Sequence, residues 1–151
     1  MTGMKRFVFA LETLLRYRQN LEEKERNELS RLFFRHHREK QNLDSLQSRH
    51  GEAMMELTQQ RTGEVDPREI EWSCLYLNRL EFEMEECRKR IRQLEKEIES
   101  QKKIVIEATK KTKIIDTLKS HKRRDYLAAF DKAEQKAVDE FVVTRFAHRD
   151  P

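Results

Sequence analysis

From Ile70 to Ile115, seam-type residues recur in strictly alternating steps of three and four: Ile70, Ser73, Leu77, Leu80, Met84, Cys87, Ile91, Leu94, Ile98, Gln101, Val105, Ala108, Thr112 and Ile115. A repeat of 3.5 residues keeps one helical stripe facing a partner helix, which is the pattern of a left-handed coiled coil. It also decides against disorder. With 36% apolar and 40% charged residues the composition alone would suit an unfolded chain, but unfolded chains carry no such period.

The first half carries a matching repeat. One run is Phe7, Leu11, Leu14, Arg18 and Leu21; a second is Leu29, Leu32, His36, Glu39, Leu43, Leu46, His50, Ala53 and Leu57. Between them Leu21, Glu25 and Leu29 take two steps of four, a stutter that locally unwinds a supercoil. Past Ile115 the second-half pattern loosens through Leu118, Tyr126, Leu127, Phe130, Ala133, Ala137 and Phe141.

The one strong break is Thr62-Gly63-Glu64-Val65-Asp66-Pro67. Gly63 suits a helix C-terminus because it tolerates positive φ. Asp66 reads as an N-cap, with Pro67 at the first helical position and Glu69 three residues after the cap. Stop and start signals this close predict two antiparallel helices. The expected fold is all-α: a single coiled-coil hairpin over 1–151, with helices over about 6–61 and 67–146 and a turn over about 62–66. The helices would span about 80 Å and about 120 Å. The last ~20 residues of the second, with Phe130, Phe141, Val142, Val143 and Phe146, would then lack an intramolecular partner.

Several functions are disfavoured. No apolar run approaches the ~20 residues of a membrane span, and Met1–Ala10 has no secretory h-region, which predicts a cytoplasmic protein. Cys74 and Cys87 would lie ~20 Å apart on one helix, too far for a disulfide. Without a CxxC pair, a Cys/His cluster, a phosphate loop or a hydrolase motif, the chain is expected to be no enzyme, with no cofactor, metal or small-molecule substrate. His36 and His50 read as polar seam positions that help fix register. The net charge of +4 is mild for a nucleic-acid binder.

Two features could bind partners. A line beside the seam, Trp72, Leu75, Arg79 and Phe82 with Tyr76 adjacent, reads either as a wide seam or as a second face for another protein. Lys102 to Arg124 holds nine Lys or Arg against Glu107 and Asp116, a net of +7, whereas Glu81 to Glu86 is acidic. The basic stretch fits an acidic partner or nucleic acid.

The opening Phe7-Val8-Phe9-Ala10-Leu11-Glu12-Thr13-Leu14-Leu15-Arg16-Tyr17-Arg18 resembles the "F-x-L-x-x-L-L-x-x-R" start of the flagellar export protein FliJ family. Glu134-Gln135-Lys136-Ala137-Val138-Asp139-Glu140 is similar to its terminal "EQK-x-x-DE" signature, and the polar stretch from Thr144 to Pro151 departs from it in length. The resemblance implies a cytoplasmic stalk of the flagellar type III export apparatus, peripheral to the inner membrane and tied to motility and chemotaxis. Such a stalk is similar to the γ subunit of rotary ATPases. It implies three partners: the hexameric export ATPase, the export gate membrane protein and export chaperones. Phe7, Leu11, Leu14, Lys122, Arg123, Arg124, Phe130 and Phe141 are the expected ATPase contacts. Trp72, Tyr76 and Phe82 are the expected gate or chaperone contact. The equivalent stalk of a virulence secretion system and a nucleic-acid-binding coiled coil stay open as alternatives.

Overall fold

The computed structural model describes residues 5–60, 63, 64 and 66–148. They form two helices, α1 (Glu12–Gln60) and α2 (Pro67–Ala147), and no strand. The chain divides into two compact units, each taking a piece of both helices. Unit 1 is Met1–Glu23 with Glu107–Pro151, and unit 2 is Lys24–Ile106.

In unit 2 the helices run antiparallel, because partner numbers on α2 rise as those on α1 fall. His50 Nε2 lies 3.1 Å from Glu81 Oε1, and His36 Nε2 lies 3.2 Å from Glu95 Oε1. The seam buries three apolar clusters. Ala53, Leu57 and Leu77 pack with Ile70; Leu46, Leu80, Met84, Cys87 and Ile91 with Leu43; Leu32, Leu94 and Ile98 with Leu29. Each fully buried Leu or Ile contributes roughly 1.5–3 kcal/mol over an exposed one. These are the residues that the 3.5 repeat selects.

Polar layers interrupt the apolar ones, and each is satisfied. The buried Cys87 thiol donates to the Glu39 carbonyl at 3.3 Å and reaches Glu39 Oε2 at 3.4 Å, while Arg90 Nε donates to that same oxygen at 3.3 Å. Burial first, and then the Glu39 carboxylate, push the Cys87 thiol above its ordinary range. Gln101 donates to both the carbonyl and the carboxylate of Glu25. Such layers admit one register, since a slip would strand buried polar groups.

The start of α2 follows its sequence signal. Asp66 Oδ1 accepts the Arg68 amide at 3.0 Å, and the Asp66 carbonyl accepts the Glu69 amide at 3.1 Å. The cap therefore closes on the second helical amide. Gly63 departs from its expectation: no glycine among the described residues takes positive φ. Arg61, Thr62 and Val65, expected at the end of the first helix and in the turn, lie outside the described residues.

Unit 1 differs from the sequence reading at its beginning. The expected helix from about residue 6 starts instead at Glu12, where the Leu15 amide bonds the Leu11 carbonyl at 2.9 Å. Residues 5–11 form a non-helical strap ending in a turn, closed by the Glu12 amide on the Phe9 carbonyl at 3.1 Å. The seam changes accordingly. Phe9 and Leu15, not Leu11 and Leu14, are the buried residues. They pack with Ile115 and the half-buried Phe7, and Leu15 is only 2% exposed. Leu11 and Leu14 are each 38% exposed. The physical reason is that a strap has no 3.6 period, so Phe7 and Leu11 no longer share a helical stripe with Leu14. Glu12 anchors the junction, with Lys119 Nζ at 2.8 Å and Arg16 Nε at 3.8 Å.

Candidate functional site

Two surfaces carry the candidate residues, one in each unit. In unit 2 the helix period places Trp72, Leu75, Tyr76, Arg79 and Phe82 on one flank of α2, away from the buried Leu77, Leu80 and Met84. All five are exposed, Trp72 by 75% and Phe82 by 66%. Among the described residues nothing covers this line, so the wide-seam reading fails and an aromatic ridge results. Phe82 also borders an open groove with Asn42, Leu46 and Arg49 of α1.

Three of the four carboxylates of the acidic run beside the ridge pair with Arg or Lys of their own unit, and the fourth, Glu81, meets an imidazole. Glu81 meets His50, Glu83 meets Arg79 at 3.2 Å, Glu85 meets Arg88 at 3.6 Å and Arg92 at 3.5 Å, and Glu86 meets Lys89 at 3.2 Å. Exposed pairs add little stability, but they flatten the local field. The sequence expectation of an acidic surface there is therefore weakened.

Unit 1 is the opposite case. Lys110 pairs with Glu107, and Lys119 with Glu12. Lys111, Lys113, Lys122, Arg123 and Arg124 are exposed and make no ion pair among the described residues. Their charge is available to a partner.

The expected apolar contacts of unit 1 separate into two groups. Phe7 and Phe130 are engaged in the chain itself. The Phe7 ring lies 5.5 Å from Tyr126, Tyr126 stacks on Phe130 at 6.4 Å, and Tyr126 Oη donates to the Lys5 carbonyl at 2.8 Å. Phe141, by contrast, is 63% exposed, and so are its neighbours. Every residue from Glu134 to His148 is exposed, including Val138, Val142, Val143 and Phe146. The sequence reading missed the roles of Phe9, Tyr126 and Lys119. The Phe-x-Phe pair at 7 and 9 was the available signal, because alternation suits an extended segment.

A family model described as the flagellar FliJ protein matches residues 7–150. The chain belongs to the FliJ family. It is thus a flagellar export-related coiled-coil protein, and the FliJ family is not one of known enzymes. No curated protein and no solved structure matches the chain. No helix of this FliJ-family chain, among the described residues, is long and apolar enough to cross a membrane. Those residues hold no group of three or more His, Cys, Asp or Glu that could bind a metal ion.

Proposed function

We propose that this FliJ-family chain is the stalk of the flagellar export apparatus, a single coiled-coil hairpin domain that works by binding and not by catalysis. Its terminal unit docks in the hexameric export ATPase, at the cytoplasmic face of the inner membrane. Its aromatic ridge meets the export gate or export chaperones. The observation that carries the reading is the end of α2. Residues 134–148 are exposed throughout, with Val138, Phe141, Val142, Val143 and Phe146 uncovered. A lone helix in water is marginal, and exposed apolar side chains of this density mark an interface. The unpaired Lys122, Arg123 and Arg124 in the same unit favour an acidic rim on the partner.

The test mixes the chain with the export ATPase and measures co-assembly and stimulation of ATP hydrolysis. A chain ending at Ala133 keeps the Phe7–Tyr126–Phe130 contacts and loses the exposed segment, so stimulation should be lost. Unchanged stimulation would overturn the assignment. For the ridge, replacing Trp72, Tyr76 and Phe82 together should abolish binding to the gate or to a chaperone at unchanged helicity. Retention of every export partner would remove the ridge from the reading. Cells lacking a working stalk should lose motility, and chemotaxis with it.

A further inference from the structure

The face of α2 that carries Ile115 in unit 1 continues well past the residue where α1 begins to cover it. It runs Ile115, Lys119, Lys122, Tyr126, Phe130, Ala133, Ala137 and Phe141, in steps of three and four that hold one helix face, with two lysines before its apolar part resumes at Tyr126. The cover changes along this line. At Ile115 the cover is Leu15 of α1 together with Phe9 of the strap. Around Tyr126 it is, among the described residues, the strap, through Phe7 and the Lys5 carbonyl. From Glu134 to His148 there is none among the described residues.

The strap is a light cover. Phe9 is its one buried side chain, Phe7 is half-buried, and Lys5, Arg6, Val8, Ala10 and Leu11 are exposed. Among the described residues its one hydrogen bond to α2 is the one from Tyr126. A segment held by so few contacts opens locally far more readily than the seam it lies on. A helix laid along Ala133, Ala137 and Phe141, and extended down the same face, would meet the strap at Phe130 and Tyr126. Both cannot occupy that face. The surroundings state what such a helix should carry. Lys122 lies on the strap-covered face and Arg123 beside it, and both are exposed and make no ion pair among the described residues, so carboxylates beside an apolar stripe would find partners there.

We propose that residues 5–11 occupy, in cis, part of a helix-docking surface on α2, and that an amphipathic helix with acidic flanks displaces them when it binds. The surface is defined by this chain alone. The stalk reading enters only in making the export ATPase the source of the helix. The strap then sets the affinity, because a site closed most of the time binds weakly in proportion to its open fraction.

The experiment uses the full chain and the variants Phe7→Ala, Phe9→Ala and Lys122→Glu/Arg123→Glu. Far-UV circular dichroism comes first. Phe7→Ala and Phe9→Ala should keep the helical signal while binding of an apolar dye rises; a large loss of helix in both would make the strap part of the core and overturn the proposal. A fluorescent designed peptide, with leucines on one face and glutamates flanking it, is then titrated by anisotropy. The strap variants should bind it roughly tenfold tighter than the wild type. The charge variant should bind more weakly and lose salt dependence. Equal or weaker binding by the strap variants would overturn the proposal, since it would mean that Phe7 and Phe9 contact the ligand or do not compete with it. The export ATPase is titrated in parallel. If it binds no form of the chain, the stalk reading fails while the peptide result still judges the strap. If it binds the wild type but the strap variants more weakly, the stalk reading stands and the strap proposal falls.

Discussion

Leu14 and Leu15 offer a direct test of where the seam of unit 1 lies. The 3.5 repeat read from Phe7 puts Leu14 on the seam, whereas the folded chain buries Leu15 and leaves Leu14 38% exposed. Leu15→Ala removes roughly three carbon groups from a site enclosed by Phe9, Ile115 and Phe7. At about 0.8 kcal/mol per carbon the transfer loss is about 2.4 kcal/mol. A cavity term is added, though a two-helix site bordered by solvent relaxes well, so the total should be about 3 kcal/mol. Leu14→Ala loses only its covered part and should cost about 1 kcal/mol. The assay is amide hydrogen exchange followed over residues 108–118 of α2, which reports opening of this unit in place of global unfolding. A loss of 3 kcal/mol speeds exchange on the order of a hundredfold, and 1 kcal/mol less than tenfold. If Leu14→Ala speeds exchange as much as Leu15→Ala, the helical stripe continues to Phe7 and the strap description is wrong.

Three further outcomes follow from the two-helix geometry. Gly51 lies inside α1, exposed, with nothing within 4 Å of the place a Cβ would occupy; Gly51→Ala should therefore raise stability by about 1 kcal/mol in urea unfolding, and a destabilised variant would refute the open site. The two thiols should behave oppositely: exposed Cys74 reacts with a thiol reagent in the native chain, while Cys87 reacts only on unfolding. Because burial raises the Cys87 thiol above 9.0, its contribution to stability is fully present below pH 9 and falls as pH rises through the raised value. The stability difference between wild type and Cys87→Ala should shrink between pH 8 and pH 10, and a constant difference would contradict that linkage.

The hairpin and most of its seam were legible because helix period and burial are coupled locally. Thirteen consecutive steps of a 3.5 repeat admit almost no other structure, and from Leu77 to Ile98 the expected seam residues are all buried. The start of α2 was legible for a similar reason, since Asp66 and Pro67 satisfy helix-end requirements by their own chemistry. His36 and His50 were placed on the seam by the same period, but their partners Glu95 and Glu81 were not, because pairing depends on a register set across the turn.

The candidate surfaces were legible as residue types, and only tertiary structure decided their availability. Glu81 to Glu86 and Lys122 to Arg124 look alike as charge runs. Glu83, Glu85 and Glu86 of the first are paired with Arg and Lys of the same helix, and the second is left unpaired among the described residues. The start of the chain is the clearest case. Phe7-Val8-Phe9 fits a helical stripe through Phe7 and an extended segment through both rings, and nothing nearby in sequence chooses. The choice is made more than a hundred residues later, where Ile115 and Tyr126 offer a face that Phe9 and Phe7 can cover. A repeat can declare that two helices zip together; where the zip ends depends on what the other helix has left uncovered.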